Sequence, residues 1–259
     1  LKNNPEALRY VSPARRDFDE LAKYAVQLPH SQALQWVRSD RENYKEIALV
    51  AVQRNGMEIR HVPQDHPDFF EIAKAAIEQT GRALAFIHGA GATYGLHPRF
   101  WELAELAVND GGWPIRYVHT GTPGSDHRAH YVYLAKLAVQ VAPRALYDVV
   151  SGIVEYKDIA KSAVGRSFRM MNAVPETHPD FEEIVRVAIR TNAHALQYVP
   201  VAFPNYRELA ELAIQKDWRA ITYVPTDRDD YTELVALSDR VRNGTDSDSE
   251  RSRMDSDSD

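Results

Sequence analysis

The chain has 259 residues, 44% hydrophobic and 26% charged, with a formal net charge of −6 and no cysteine. That composition excludes disulfides, thiol chemistry, cysteine-held zinc and iron–sulfur clusters. No apolar run approaches the ~18 residues of a membrane-spanning helix, and the negative charge gives no general pull toward nucleic acid.

In chain order, the first patterned element is a short motif, Ala7-Leu8-Arg9-Tyr10-Val11. It returns as Ala33 to Val37, Ala195 to Val199 and Ala220 to Val224, with variants at Glu58 to Val62, Ala83 to Ile87 and Pro114 to Val118. Each copy reads as a short helix of one to two turns, stopped in several units by a following proline such as Pro13, Pro63, Pro175, Pro200 or Pro225.

A longer element follows each motif and opens on an aromatic: Phe18, Tyr44, Phe69, Phe100, Tyr131, Tyr156, Phe181, Tyr206 and Tyr231. Leu or Ile stands three residues on, Ala or Val four on, and an Ala-Val or Ala-Ile pair seven and eight on, as in Tyr44, Ile47, Ala48, Ala51 and Val52. Positions i, i+3, i+4, i+7 and i+8 line one face of an α-helix. Asp or Asn precedes the aromatic and Glu follows three residues after it, as in Asp17 and Glu20, Asn43 and Glu46, or Asp180 and Glu183. That spacing predicts capping boxes rather than acid–base dyads. Gly56, Gly81 and Gly111 fall just past long helices, where a residue of positive φ is expected.

A short helix, a turn and a long helix cannot bury an apolar face alone, so neighbouring units must stack. The predicted fold is all-α, an α-solenoid of about nine two-helix repeats of ~25 residues over 1–239. Leu1 sits in the register of the last apolar residue of a long helix, which suggests a longer array. The last helix carries Ser238-Asp239 where Ala-Val is expected, a polar end suited to a terminal repeat. Residues 240–259 read as a disordered acidic Ser/Asp tail, because a tract with one Met and no aromatic cannot offset its ordering entropy.

Most aromatics are 25 or 26 residues apart, but Phe69 to Phe100 and Phe100 to Tyr131 are each 31 apart. These two spacings mark insertions near 88–98 and 119–129. Both are rich in Gly, Thr and His, and equivalent insertions project from one edge of a repeat array. His88, Thr93, Tyr94 and His119 are therefore candidate ligand-binding residues, and His97, His127 and His130 a candidate metal set. Against a metal site, His97 precedes Pro98 as His66 precedes Pro67 and His178 precedes Pro179, which reads as a turn. Arg99 and His130 occupy the expected cap positions, which would leave helix N–H groups open to an external acceptor. Gly89-Ala90-Gly91 lacks the Gly-Lys-Ser/Thr of a phosphate loop, and no nucleophile elbow or triad spacing is present.

One further column precedes the short motifs: Glu6, Gln32, Met57, Arg82, Trp113, Arg144, Arg169, His194 and Arg219. From the fourth unit on it is basic or aromatic, and stacking would align it as a strip for an acidic peptide or a phosphate-bearing chain.

Units of the form Asn-Gly-x-Ala-Leu-x-Tyr-Val, followed by Asp-Phe/Tyr-x-Glu-Leu-Ala-x-x-Ala-Val, resemble a domain-of-unknown-function family of short tandem helical repeats. That family occurs in bacteria, including secreted effectors of intracellular bacteria, and in protists and large viruses. The resemblance covers about residues 1–239 and weakens in Val141–Met171, where Asp148 replaces the aromatic. It implies a helical module, often accompanying other functions, and it assigns no catalytic residue and no cofactor.

The reading is thus a non-enzymatic scaffold for a protein or peptide partner, without membrane insertion. Its rivals are a metal-dependent or enzymatic effector module built on the central loops, and a nucleic-acid binder using the arginine column. With no signal-peptide pattern in the polar opening residues, the expected location is cytoplasmic, or host cytoplasm for a secreted effector.

Overall fold

The computed structural model describes residues 4–87, 99–121 and 125–254. Among them the chain is helical, and short 3-10 helices alternate with α-helices. Contacts divide it into two compact units, Leu1–Ala142 and Pro143–Asp259.

The first unit holds the short helices η1 (Pro5–Tyr10), η2 (Ala33–Trp36), η3 (Gly56–His61), η4 (Gly81–Phe86) and η5 (Trp113–Tyr117). Between them run α1 (Phe18–Gln27), α2 (Tyr44–Arg54), α3 (Phe69–Gln79), α4 (Phe100–Asn109) and α5 (Asp126–Val141). The second unit holds η6 (Pro143–Asp148), η7 (Phe168–Ala173), η8 (Ala193–Tyr198) and η9 (Trp218–Tyr223). Its long helices are α6 (Tyr156–Arg166), α7 (Phe181–Thr191), α8 (Tyr206–Lys216) and α9 (Tyr231–Met254). Within each unit, every long helix packs on the next long helix and every short helix on the next short one. Each long helix also packs against the short helix before it, and α1 to α4 and α6 to α8 against the short helix after it as well.

The aromatic column is the core. Phe18, Tyr44, Phe69, Phe100, Tyr131, Tyr156, Phe181 and Tyr206 are all 2% exposed or less, and the Ile, Leu and Ala that follow them are buried too, apart from the half-buried Leu21. The tyrosines add a polar handle. Tyr44, Tyr156 and Tyr206 donate their hydroxyls to the carbonyls of His61, Ala173 and Tyr223 at 3.1–3.3 Å, tying each long helix to the next short one. Burial pushes the Tyr44 and Tyr156 hydroxyls up to about 12.

A second column, three residues before each aromatic, covers the aromatic of the preceding helix. Arg41 lies over Phe18 at 4.7 Å and Arg228 over Tyr206 at 4.6 Å. His66 sits 5.0 Å from Tyr44, His178 5.0 Å from Tyr156 and Phe203 5.4 Å from Phe181. His66 and His178 also accept the backbone N–H of Asp68 and Asp180 at Nδ1, both at 3.1 Å, so these His-Pro pairs are turns.

Four sequence expectations change. The Asp or Asn before each aromatic does not cap its helix: Asp17, Asn43, Asp68, Asp180 and Asn205 make no side-chain cap bond. The turn ahead of the helix already supplies acceptors, as when Tyr44 N donates to the Arg41 carbonyl at 3.0 Å. Released from capping, these side chains bridge to the previous helix. Asn43 donates to Asp19 at 3.0 Å, Lys45 meets Asp68 at 2.8 Å and Glu71 at 2.5 Å, and Asn205 donates to Glu182 at 2.6 Å. Lys157 joins Asp180 and Glu183 in the same way, and Arg207 joins Glu233. Side-chain caps belong instead to the short helices, where Asn4, Asn55, Thr80, Asn192 and Asp217 each accept the N–H two residues on.

Gly111 has the positive φ expected of it, 111°, but Gly56 and Gly81 begin short helices instead. A Cβ on Gly56 would lie 2.4 Å from the Ala76 carbonyl oxygen, so close backbone approach requires glycine there. Gly56→Ala is expected to destabilise the protein by about 1–3 kcal/mol in urea denaturation. Gly165→Ala, where an added Cβ meets only Val187 at 3.9 Å, is expected to stabilise slightly by its helix propensity.

The second insertion is partly helical: α5 begins at Asp126, with the Ser125 hydroxyl accepting Arg128 N at 3.2 Å. His130 is therefore inside the helix and not at an uncapped start. Finally, α9 runs to Met254, where composition predicts a tail unstructured from residue 240. Extending a helix already nucleated by packing costs far less than starting one. At its packed end, Ser238 is buried in the expected alanine position and donates to the Trp218 carbonyl at 3.0 Å.

Candidate functional site

In the first unit, α4 and α5 enclose a groove of about 500 Å³. Trp101, Glu102 and Glu105 line it from α4, and His130, Tyr133 and Leu134 from α5. In five other units the residue after the long-helix aromatic is charged and bridges to the next helix: Asp19, Lys45, Lys157, Glu182 and Arg207. Here that position is Trp101, and its partner is His130, stacked at 4.6 Å with the planes 14° apart. His127 approaches the same indole at 5.6 Å. Tyr133 donates its hydroxyl to Glu105 at 2.7 Å, and this bond holds the phenol above its ordinary pKa. Arg99 is bidentate to Glu102 at 2.6 and 2.8 Å and lies 3.4 Å from the Phe70 ring centre.

Of the sequence-predicted residues, His130 lines the groove and His127 contacts its indole. His88, Thr93, Tyr94 and His97 lie outside the described residues. His119 accepts Gly121 N at Nδ1, 3.2 Å away. Among the described residues no three His, Asp or Glu side chains converge as a metal site.

The predicted basic column divides between the units. In the first, Arg82 lies 5.5 Å over the Trp113 ring, and Trp113 in turn meets Tyr117 edge-on at 5.9 Å. In the second, Arg144, Arg169, His194 and Arg219 are the second residues of η6 to η9, which pack in series. Arg166, Arg190 and Lys216, near or at the ends of α6, α7 and α8, sit beside them because a single residue separates long from short helix. Asp217 supplies the one carboxylate across these junctions and lies 3.7 Å from Arg219. Arg144, Arg169 and Arg190 are exposed, and among the described residues none has an acidic partner. The opposite ends of the long helices are acidic, in keeping with the helix dipole, and those acids are tied up in the bridges between helices. Arg186 and Asn205, for instance, hold the Glu182 carboxyl below its usual range.

The aromatics of this edge contact one another and its cations. His194 lies 6.2 Å from Phe168 and 5.4 Å from Tyr223, and Phe168 lies 6.2 Å from Tyr198. Trp218 is covered by Arg219 at 4.8 Å and Arg242 at 5.0 Å.

Sequence reasoning missed Trp101, Glu105 and Tyr133, although Trp101 is visible as an aromatic at a position that is charged in five other units. It also missed Glu58, which takes the alanine position of the short motif on η3. Glu58 is 2% exposed and neither carboxylate oxygen has a hydrogen-bond partner. Burial pushes its carboxyl up to about 7, against the pull of Arg60 and with a small push from Glu6.

Residues 182–227, from α7 through η9, match the model of a family described as a domain of unknown function (DUF4116). The match is to a helical segment of two long and two short helices. No curated protein and no solved structure matches the chain. No helix among the described residues is long and apolar enough to cross a membrane.

Proposed function

We propose that the chain is a non-enzymatic scaffold of about nine stacked two-helix repeats, an α-solenoid in type, that binds an acidic segment of a partner protein. The observation that carries this reading is the junction edge of the second unit, where Arg144, Arg169 and Arg190 are exposed without acidic partners beside His194 and Arg219. Arg186 and Arg207 on α7 and α8, and Arg228 in the turn before α9, are by contrast bound to carboxylates. Unpaired guanidiniums in a row offer bidentate sites to successive carboxylates. A single-stranded nucleic acid would want ring faces on which to stack bases, and the rings here are engaged with each other and with Arg219 and Arg242.

Fluorescence anisotropy with a labelled twelve-residue Glu/Asp-rich peptide tests the reading. The wild type is expected to bind in a salt-sensitive way, and Arg144→Glu with Arg169→Glu to weaken binding by about tenfold or more. Equal binding by the double variant, or a preference for oligo-dT over the peptide, would overturn it.

A further inference from the structure

The α4–α5 groove has a chemistry opposite to that of the basic edge and shares no residue with it. Its floor is Leu134, 1% exposed. Trp101 and Glu105 are one turn apart on α4, and His130 and Tyr133 are three residues apart on α5, so each pair shares a helix face. Ion pairs cross between α1 and α2, α2 and α3, α6 and α7, α7 and α8, and α8 and α9. Between α8 and α9, Arg207 reaches both Glu211 and Glu233 at 3.0 and 2.5 Å. Between α4 and α5 the contact made by Glu105 is instead with a neutral hydroxyl, that of Tyr133. Glu105 accepts the Tyr133 hydroxyl and has no cationic partner among the described residues, while Arg99, just before α4, is bidentate to Glu102 and lies on Phe70.

We propose that this groove is a binding site for a cationic side chain, a lysine or arginine presented by a partner protein. Its aliphatic stem would lie along Leu134 and the indole, and its charge would meet the Trp101 and Tyr133 rings and the Glu105 carboxylate. Aromatic faces attract cations through their quadrupole, most strongly for tryptophan. The hydrogen bond from Tyr133 orients Glu105, and the His130 stack fixes the indole, so little order is lost on binding. About 500 Å³ is ample for one such side chain.

The test uses the full chain labelled with ¹⁵N and two blocked peptides, Gly-Ser-Lys-Ser-Gly and the same sequence with norleucine for lysine. The lysine peptide is expected to shift the Trp101 indole N–H resonance saturably, and the norleucine peptide to leave it in place. Glu105→Gln, a near-isosteric change at the surface, is expected to weaken the lysine peptide about tenfold. Glu211→Gln, in the bridged α8–α9 groove, should leave binding unchanged. If both peptides act alike, if Trp101 does not respond, or if Glu105→Gln binds as wild type does, the groove is not a cation site. These outcomes are separate from the fate of the acidic-peptide reading, which depends on Arg144 and Arg169.

Discussion

Replacing Phe69 by alanine is expected to cost about 3–5 kcal/mol, the range for removing a large buried side chain that its surroundings cannot collapse to fill. Phe69 is fully buried at the start of α3, together with Ile72, Ala73, Ala76 and Ile77 from the same helix face. Because α3 packs on both α2 and α4, the void opens between three layers and no single neighbour can move into it. Urea denaturation followed by far-ultraviolet circular dichroism measures the loss. A cost below about 1 kcal/mol would mean that the aromatic column is not the core.

Glu58 should behave in the opposite sense. Restoring the alanine that most other short helices carry at this position, Glu58→Ala, is expected to stabilise the protein above neutral pH. The carboxyl ionises near its ordinary 4.5 in the unfolded chain but only at about 7 when buried in η3. Below about pH 4.5 both states are protonated and the burial of charge costs nothing. As pH rises toward 7, the unfolded state releases its proton first, and the folded state loses stability progressively. Above 7 the full difference applies, on the order of 3 kcal/mol by linkage. The gain from Glu58→Ala is therefore expected to be near its maximum at pH 8 and to shrink toward pH 4.5. Parallel unfolding curves of the two proteins at pH 5 and pH 8 check this. A pH-independent difference would show that Glu58 finds a partner that neutralises it in the folded state.

The apolar skeleton was legible because its physics is local and periodic. Tyr44, Ile47, Ala48, Ala51 and Val52 mark a buried face by spacing alone, and the same pattern predicted the depth of Phe69 and Tyr206. The His-Pro turns were readable for a similar reason, since the backbone restriction of proline acts on the residue beside it. Features that depend on contacts between helices were not. Asp68 has the sequence context of a cap, but its preference for Lys45 is decided by a side chain 23 positions earlier in the chain. Gly56 looks like a helix terminator until the Ala76 carbonyl is seen against it. The start of α5 moved from Tyr131 to Asp126 because Ser125 offers a cap that the 25-residue rhythm gives no reason to look for.

At the candidate sites the same division holds. The basic column was visible in the sequence, but which of its members are unpaired was not: Arg82 is spent on Trp113, whereas Arg144 and Arg169 are open. The histidines His127 and His130 stood out by composition and suggested metal. The structure gives their rings to Trp101, at a position that five other units fill with a charged residue.

The most direct measurement of the central claim is a map of where an acidic peptide touches the protein. Titrating the Glu/Asp-rich peptide into the ¹⁵N-labelled chain should shift the amide resonances of Arg144, Arg169, His194 and Arg219 and their junction neighbours, with the shifts fading as salt is raised. Shifts confined to the α4–α5 groove, or scattered over the surface without saturation, would contradict it.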